Sequence, residues 1–128
     1  MRDERGQALS VFVAVSMLGL LLVCGLVVDG GAQAHAARRA QTAAALAARV
    51  AADATAVSRL AGAEPEAGRV VAAAREILAA HQVEGEISLL AGQVQVRTTT
   101  RVETVFLSLI GIDSLAATGS ATAELRDG

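Results

Sequence analysis

The sequence predicts an α+β protein: an N-terminal transmembrane helix extended by an Ala-rich stalk helix, then a second helix and a small three-stranded antiparallel sheet. Three observations predict this class. A charge-free apolar run lies near the N-terminus, an Ala-rich stretch of helical periodicity follows it, and apolar and polar residues alternate in the last third of the chain. We therefore divide the chain into a cytoplasmic N-terminus (1–7), a transmembrane helix (8–28), a helical stalk (29–61) and a small extracytoplasmic α+β domain (62–128).

The transmembrane prediction rests on the 21 uncharged residues from Ala8 to Val28. About 20 apolar residues at roughly 1.5 Å each cross a hydrocarbon core of roughly 30 Å. Ala8 and Val28 are the predicted membrane boundaries, and Asp29 follows as a carboxylate at headgroup level. Arg2 and Arg5 lie close to the span on its N-terminal side, which favours a cytoplasmic N-terminus.

A cleaved secretory signal is the alternative to a permanent anchor. Small residues at Ala32, Ala34 and Ala36 form two possible cleavage sites, after Ala34 or after Ala36, and cleavage would release a small secreted binding module. Two observations argue against cleavage. The apolar run is longer than the usual core of a signal peptide, and the leading residues carry two Arg and two acidic side chains, whereas a signal peptide begins with a positively charged segment. The anchor is the favoured interpretation.

The residues after the span predict two helices. The helical pattern continues to Leu60, and we expect a hinge or kink at Gly30-Gly31. One face of this helix carries a narrow apolar seam formed by Ala43, Leu46, Val50, Val57 and Leu60. That seam would pack either on the protein's own sheet or on a neighbouring subunit's helix. A second helix is predicted from Pro65 to His81. Its buried face would comprise Val70, Ala74, Ile77 and Leu78, and His81 would interact with the C-terminal carbonyls.

The last third of the chain predicts three strands. Residues 86–90 and 93–102 form a hairpin around Ala91-Gly92, and residues 115–125 alternate as a third strand. Between them, residues 103–112 hold the bulkiest apolar side chains outside the span. We expect this segment to fill the core of the small domain as a short helix or loop, with Phe106 inside. The alternative is a second membrane contact that does not cross the bilayer, because ten residues are too few to span it.

Composition excludes several classes of function. The chain has 128 residues, 11 basic and 13 acidic side chains, and 2% aromatic residues, so we expect no nucleic-acid partner and no small-molecule substrate. Its one cysteine, Cys24, lies within the apolar run, so the domain must fold without a disulfide. Ser114 and Ser120 have only His35 and His81 as possible bases, and the acids show no metal-ligand spacing. We expect no enzyme, no cofactor and no metal.

Three segments carry a family resemblance: RGQALSVFVAV, LLLVCGLVVDGG and the helix HAARRAQTAAALAARVAA. They resemble the N-terminal region of TadE/TadG-like Flp (tight-adherence) pilus assembly proteins, and the C-terminal stretch VQVRTTTRVETVFLSLIGIDSLAATGSATAEL resembles that of short actinobacterial members. The resemblance implies a pseudopilin-like, single-pass protein of the bacterial cell membrane. Its expected partners are the lipid bilayer and other Tad/Flp pilus assembly proteins.

The resemblance also suggests a processing site for prepilin peptidase between Gly6 and Gln7. Pseudopilins that this enzyme processes typically carry Glu at the fifth mature position, whereas the fifth residue after Gly6 is Val11. This departure favours an accessory subunit or a membrane-fixed component over a filament subunit.

Overall fold

The computed structural model describes residues 2–125, with side chains from Glu4 onward. Its elements are helix α1 (Arg2–Leu60), helix α2 (Ala67–Ala80), strand β1 (Glu84–Leu90), strand β2 (Gln93–Glu103), a 3₁₀ helix (Leu107–Ile110) and strand β3 (Ser114–Glu124). The predicted α+β class is confirmed. Met1 of the predicted cytoplasmic segment and residues 126–128 of the predicted domain lie outside the described residues.

Helix α1 is continuous over 59 residues, which corresponds to about 88 Å at roughly 1.5 Å per residue. Helix α1 is not interrupted at Gly30-Gly31, the place where a hinge or kink is expected from the sequence. A glycine in a helix interior costs only about 1 kcal/mol relative to alanine, and a kink would give up backbone hydrogen bonds. A Cβ added to either glycine would meet nothing within 4 Å, so both lie on an open face of α1.

The three strands form one antiparallel sheet in the order β1-β2-β3. The predicted hairpin turn is confirmed: Leu90 pairs with Gln93, and both Ala91 (φ 48°) and Gly92 (φ 75°) adopt the left-handed conformation that a tight two-residue turn requires. The register places Val94 opposite Ala123 on the inner face of the sheet.

Helices α1 and α2 cover one face of the sheet, and the hydrophobic core lies between these layers. All six of its α1 members are alanines, whereas the rest of the cluster, apart from Ala74, consists of valines and one leucine. The buried cluster comprises Ala40, Ala43, Ala44, Ala47, Ala48, Ala51, Val70, Ala74, Leu78, Val83, Val94 and Val96. Because alanine methyls are small, α1 can lie close to the strands.

A close approach joins α1 to β3. A Cβ added to Gly119 would lie 2.5 Å from the carbonyl carbon of Ala40, so a side chain has no room there. Thr98 on β2 completes this contact, because its Oγ1 donates to the carbonyl of Ala40 at 2.8 Å and also reaches the Gly119 carbonyl at 3.2 Å. The helix backbone thus contacts the sheet directly.

The apolar seam predicted for the stalk is largely wrong. Of its members only Ala43 is fully buried; Leu46 is exposed, as are Val57 (66%) and Leu60 (89%). The buried face of α1, which packs on the sheet and on α2, consists of small residues, because only these permit the close approach. It comprises Ala36, Ala40, Ala43, Ala44, Ala47, Ala48, Ala51 and Thr55. The stalk therefore packs on the protein's own sheet through this small-residue face and not through the predicted seam.

Helix α2 begins at Ala67 with Glu66 as its N-cap, so Pro65 lies just outside the helix and is not its first residue. The predicted buried face is confirmed for Val70, Ala74 and Leu78, with Ile77 partly buried. His81 is the C-cap, and its Nδ1 lies 2.9 Å from the carbonyl oxygen of Ile77. Its predicted interaction with the helix C-terminus is confirmed.

The connection from β2 to β3, residues 104–113, is called the boundary loop below. No residue of its 3₁₀ helix is buried, and Phe106 is 36% exposed, so the expectation that this segment fills the core is wrong. The alanine face of α1 and the valines of the sheet already close the core. The boundary loop instead lies at one end of the sheet, against the N-terminal part of α1.

Candidate interaction site around Asp29

The carboxylate of Asp29 joins α1 to the boundary loop. Its Oδ1 accepts a hydrogen bond from the backbone N–H of Val105 at 2.9 Å. Its Oδ2 accepts from the N–H groups of Phe106 at 3.1 Å and Leu107 at 2.8 Å. Only 2% of Asp29 is exposed. Three successive donors therefore converge on one carboxylate that a helix holds in place.

These donors also set the charge of the site. The hydrogen bond from Val105 lowers the pKa of Asp29, and the bonds from Leu107 and Phe106 lower this pKa further. Desolvation of the carboxylate raises the pKa but does not cancel their effect. The resulting pKa lies below the ordinary value of 3.8, so Asp29 is ionised at neutral pH. An ionised carboxylate only accepts hydrogen bonds, which suits a site that presents only N–H donors.

Gly25, one helical turn before Asp29, provides the surface on which Phe106 lies. A Cβ added to Gly25 would lie 2.5 Å from the Cβ of Phe106, so this contact needs a residue without a side chain. Beyond it, apolar side chains of α1 and of the boundary loop line a shared groove. They are Leu18, Leu21, Leu22 and Leu26 from α1, and Phe106, Leu107, Leu109 and Ile110 from the loop.

Two glutamines extend the attachment along α1. The Nε2 of Gln33 donates to the carbonyl of Ala116 at 3.1 Å. Gln41 makes two bonds with Ser120, donating from Nε2 to its carbonyl at 2.7 Å and accepting from its N–H at 3.1 Å. Asp29 and these glutamines are spaced by four and eight residues, which places them on one face of the helix. That face holds both the boundary loop and strand β3.

The structure places the predicted boundary and processing residues on α1. Gly6, Gln7, Ala8 and Val28 are exposed, and the Gly6 carbonyl accepts a hydrogen bond from Ser10 at 2.9 Å. Processing between Gly6 and Gln7 stays a prediction, as does the position of the membrane boundaries. Asp29 has a role that we did not anticipate, because its three donors lie 76 to 78 residues away in the sequence.

The serine and histidine candidates for catalysis are held on separate elements. Ser114 and Ser120 belong to β3, His35 to α1, and His81 follows α2. The hydroxyl of Ser114 accepts a hydrogen bond from Arg101 at 3.4 Å, whereas His81 interacts with its own helix. Within residues 2–125, no three His, Cys, Asp or Glu side chains are grouped so that they could hold a metal ion.

Helix α1 is long and apolar enough, by length and composition, to cross a membrane. Its most apolar 18-residue window has a mean hydropathy of 2.9, and only 6% of that window is buried. These properties fit a single-pass membrane anchor. A signal sequence near an N-terminus also satisfies this criterion of length and composition.

Comparison with known proteins gives one family. Residues 6–58 match the family model described as "Putative Flp pilus-assembly TadE/G-like", a match that covers nearly all of α1. Neither the curated proteins nor the solved structures contain a match. The resemblance seen in the sequence is thus confirmed over residues 6–58, which include Asp29, and this similarity supports a structural, pilus-related role.

Proposed function

We propose that this protein is a membrane-anchored, pseudopilin-like component of a Flp/Tad-type pilus or a related secretion apparatus, with its N-terminus in the cytoplasm and its small domain outside. The observation that carries the proposal is the continuity of α1. One helix supplies first the exposed apolar span and then the alanine face on which the sheet packs. The anchor and the domain are therefore parts of one rigid unit.

The exposed side chains of the span support membrane insertion. A helix that is apolar on all sides belongs in a hydrophobic environment, and the small domain leaves almost all of this surface uncovered. The exposed apolar residues of the span include Leu9, Val11, Phe12, Val13, Val15, Met17, Leu18, Leu20, Leu21, Leu22, Val23, Leu26, Val27 and Val28. In water this surface would be a strong aggregation site, whereas lipid covers it.

The polar contacts between α1 and the sheet support a positioning role. Asp29, Gln33 and Gln41 tie the loop and β3 to the helix, and Thr98 adds a bond from β2. A domain held in this way cannot swivel on its anchor. We infer that it presents its surface to other pilus assembly proteins at a set height and orientation above the membrane.

Cysteine accessibility in intact cells tests the anchor and its orientation. Cys24 should not react with a membrane-impermeant maleimide, because it lies within the span. In a Cys24→Ser background, Leu60→Cys should react from outside, since Leu60 is 89% exposed at the far end of α1. Glu4→Cys, at the opposite end, should react only after the cells are permeabilised. The reverse pattern would show the opposite orientation.

The second candidate function is a secreted binding module released after Ala34 or Ala36. The structure favours the intact chain, because cleavage at either position would remove Asp29 and Gln33 and would leave three loop N–H groups without their acceptor. Mass spectrometry of the native protein separates the two candidates. A soluble chain beginning at His35 or Ala37 would support the secreted module and contradict the anchor.

The proposed role includes no catalysis and needs no cofactor. Replacing His35, His81, Ser114 and Ser120 together by alanine should leave pilus assembly or secretion unchanged, provided that the variant reaches the membrane in normal amounts. Because His81 and Ser114 make side-chain contacts, membrane abundance must be measured alongside activity. Loss of function at normal abundance would indicate a chemical role for these residues.

A further inference from the structure

We propose that the boundary loop is a second membrane contact, in which Val105, Phe106, Leu109 and Ile110 enter the outer leaflet beside α1. The inference rests on the proposed function, since it takes α1 as spanning the bilayer. It adds a distinct property: the folded domain itself inserts into lipid and is attached to the membrane at two places.

The first argument is the chemistry of the loop surface. Residues 104–112 contain no charged side chain, whereas Glu103 and Asp113 flank them on either side. Leu109 is 83% exposed and Ile110 is 64% exposed, and both are bulky aliphatic residues. These side chains lie outside the core and project outward together as one apolar tip. Lipid would cover such a tip.

The second argument is the position of the loop along α1. Its side chains share a groove with Leu18, Leu22 and other leucines of the predicted span. Leu18 precedes Asp29 by 11 residues, or about 16 Å along the helix, and half of a hydrocarbon core is roughly 15 Å. The groove therefore extends from the headgroup level toward the middle of the bilayer. The loop surface is continuous with the lipid-facing surface of the span.

The third argument concerns the loop backbone. Irregular backbone is tolerated at membrane depth only where its polar groups find partners in the protein. Of the nine residues from Thr104 to Ile112, seven have an N–H donor with an identified acceptor: Asp29 accepts three, and carbonyls of residues 106–113 accept the other four. The side chains of Thr104 and Ser108 also donate to loop carbonyls. The loop needs little water to satisfy its backbone.

Asp29 has a specific part in this arrangement. Without it, three adjacent N–H groups would require water and would hold the loop out of the hydrocarbon. With it, the loop folds back onto Gly25 and presents mainly side-chain carbon. The carboxylate itself is covered by the loop, with 2% of the residue exposed. Asp29 thus positions the loop for insertion.

Tryptophan quenching in vesicles tests the inference. The chain contains no tryptophan or tyrosine, so one introduced tryptophan is the only strong fluorophore. The full-length protein is reconstituted into phosphatidylcholine vesicles with or without lipid brominated on its acyl chains. Leu109→Trp probes the loop, Leu20→Trp probes the span, and Leu60→Trp probes the far end of α1; all three leucines are exposed. Ile110→Trp replaces Leu109→Trp should the latter misfold.

We expect brominated lipid to reduce the fluorescence of Leu109→Trp by a fraction comparable to that of Leu20→Trp, and to leave Leu60→Trp unchanged. Adding Asp29→Asn to Leu109→Trp should abolish most of this loss. Asp53→Asn, which changes an exposed carboxylate on the same helix, should not. The asparagine amide presents its own donors to the N–H groups of the loop and cannot accept from all three.

The outcomes separate this inference from the proposed function. If Leu20→Trp is quenched by brominated lipid but Leu109→Trp is quenched only by aqueous acrylamide, the loop faces water and the inference is overturned. If Leu109→Trp is shielded from both quenchers, a second copy of the chain covers the loop, and the inference is again overturned. If Leu20→Trp itself escapes the brominated lipid, α1 does not span the bilayer and the proposed function fails.

Discussion

At the scale of single residues, Asp29 is the most informative position. One carboxylate receives three successive backbone N–H groups and thereby joins the helix to a loop that follows it by more than 70 residues. From the sequence alone, Asp29 is recognised only as the polar residue that ends the charge-free apolar run. Its role as an acceptor depends on the fold, because the donors belong to a distant part of the chain.

The lowered pKa of Asp29 predicts how the boundary loop responds to acid. A carboxyl group whose folded pKa is depressed stabilises the folded state fully above its unfolded pKa, and this stabilisation is lost as the pH falls through the folded pKa. We therefore expect amide-exchange protection of residues 105–107 to persist above the ordinary value of 3.8 and to decline below it. Asp29→Asn should show low protection throughout. Protection that increases on acidification would contradict the assignment.

Phe106 has a different role from the one its size suggests. Because it lies on Gly25 and is 36% exposed, we expect Phe106→Ala to change the free energy of unfolding of the domain by less than about 1 kcal/mol. Val96→Ala, at a fully buried site, should cost about 2 kcal/mol. Urea unfolding in detergent measures both. A cost of roughly 3 kcal/mol or more for Phe106→Ala would place the ring in the core after all.

At the scale of elements, the continuity of α1 is the feature that joins the proposed anchor to the domain. Spin labels at Val27→Cys and Val57→Cys, both exposed sites, should report a narrow distance distribution in a Cys24→Ser background. Thirty residues of straight helix separate their backbones by about 45 Å. A broad or much shorter distribution would show that Gly30-Gly31 bends in the membrane-bound protein. Gly31→Pro provides a kinked reference.

The contact between α1 and β3 is the second feature at this scale. Gly119→Ala would place a methyl group 2.5 Å from backbone atoms of Ala40 and Gln41, and backbone cannot move as a flexible side chain can. We expect a loss of about 3 kcal/mol in the free energy of unfolding. Gly68→Ala on α2 meets nothing within 4 Å and should be neutral or stabilising by up to about 1 kcal/mol. Equal effects of both substitutions would refute the close approach.

At the scale of the whole molecule, the small domain is not independent of helix α1, the proposed anchor. The helix layer of the core is largely α1, and the boundary loop is held by Asp29, next to the predicted span. A chain that begins at Ala37 should still form the core, since Ala40–Ala51 remain. It should lose protection in the boundary loop and self-associate through Leu109 and Ile110, which are exposed. Analytical ultracentrifugation would show this; a well-behaved monomer with an ordered loop would contradict it.

The number, type and order of the elements follow from the sequence because their causes are local. Each signal involves only residues that are close together in the sequence. These signals are the run of 21 uncharged residues, the alanine-rich periodicity, the turn at Ala91-Gly92 and the strict alternation in β3. The same local signals predicted the buried face of α2 and the interaction of His81 with its helix. They also carried the family resemblance, since that resemblance lies mainly in α1.

Only the tertiary structure decided which surfaces meet. The larger residues Leu46, Val57 and Leu60 suggested a packing seam, yet the sheet lies so close to α1 that only small residues fit beneath it. Because α1 and the sheet lie so close together, the core has no room for the bulky boundary loop, which lies along the predicted span instead. Gly25, Gly119 and Asp29 owe their roles to partners far along the chain, and the distance at which such partners meet is a property of packing rather than of local sequence.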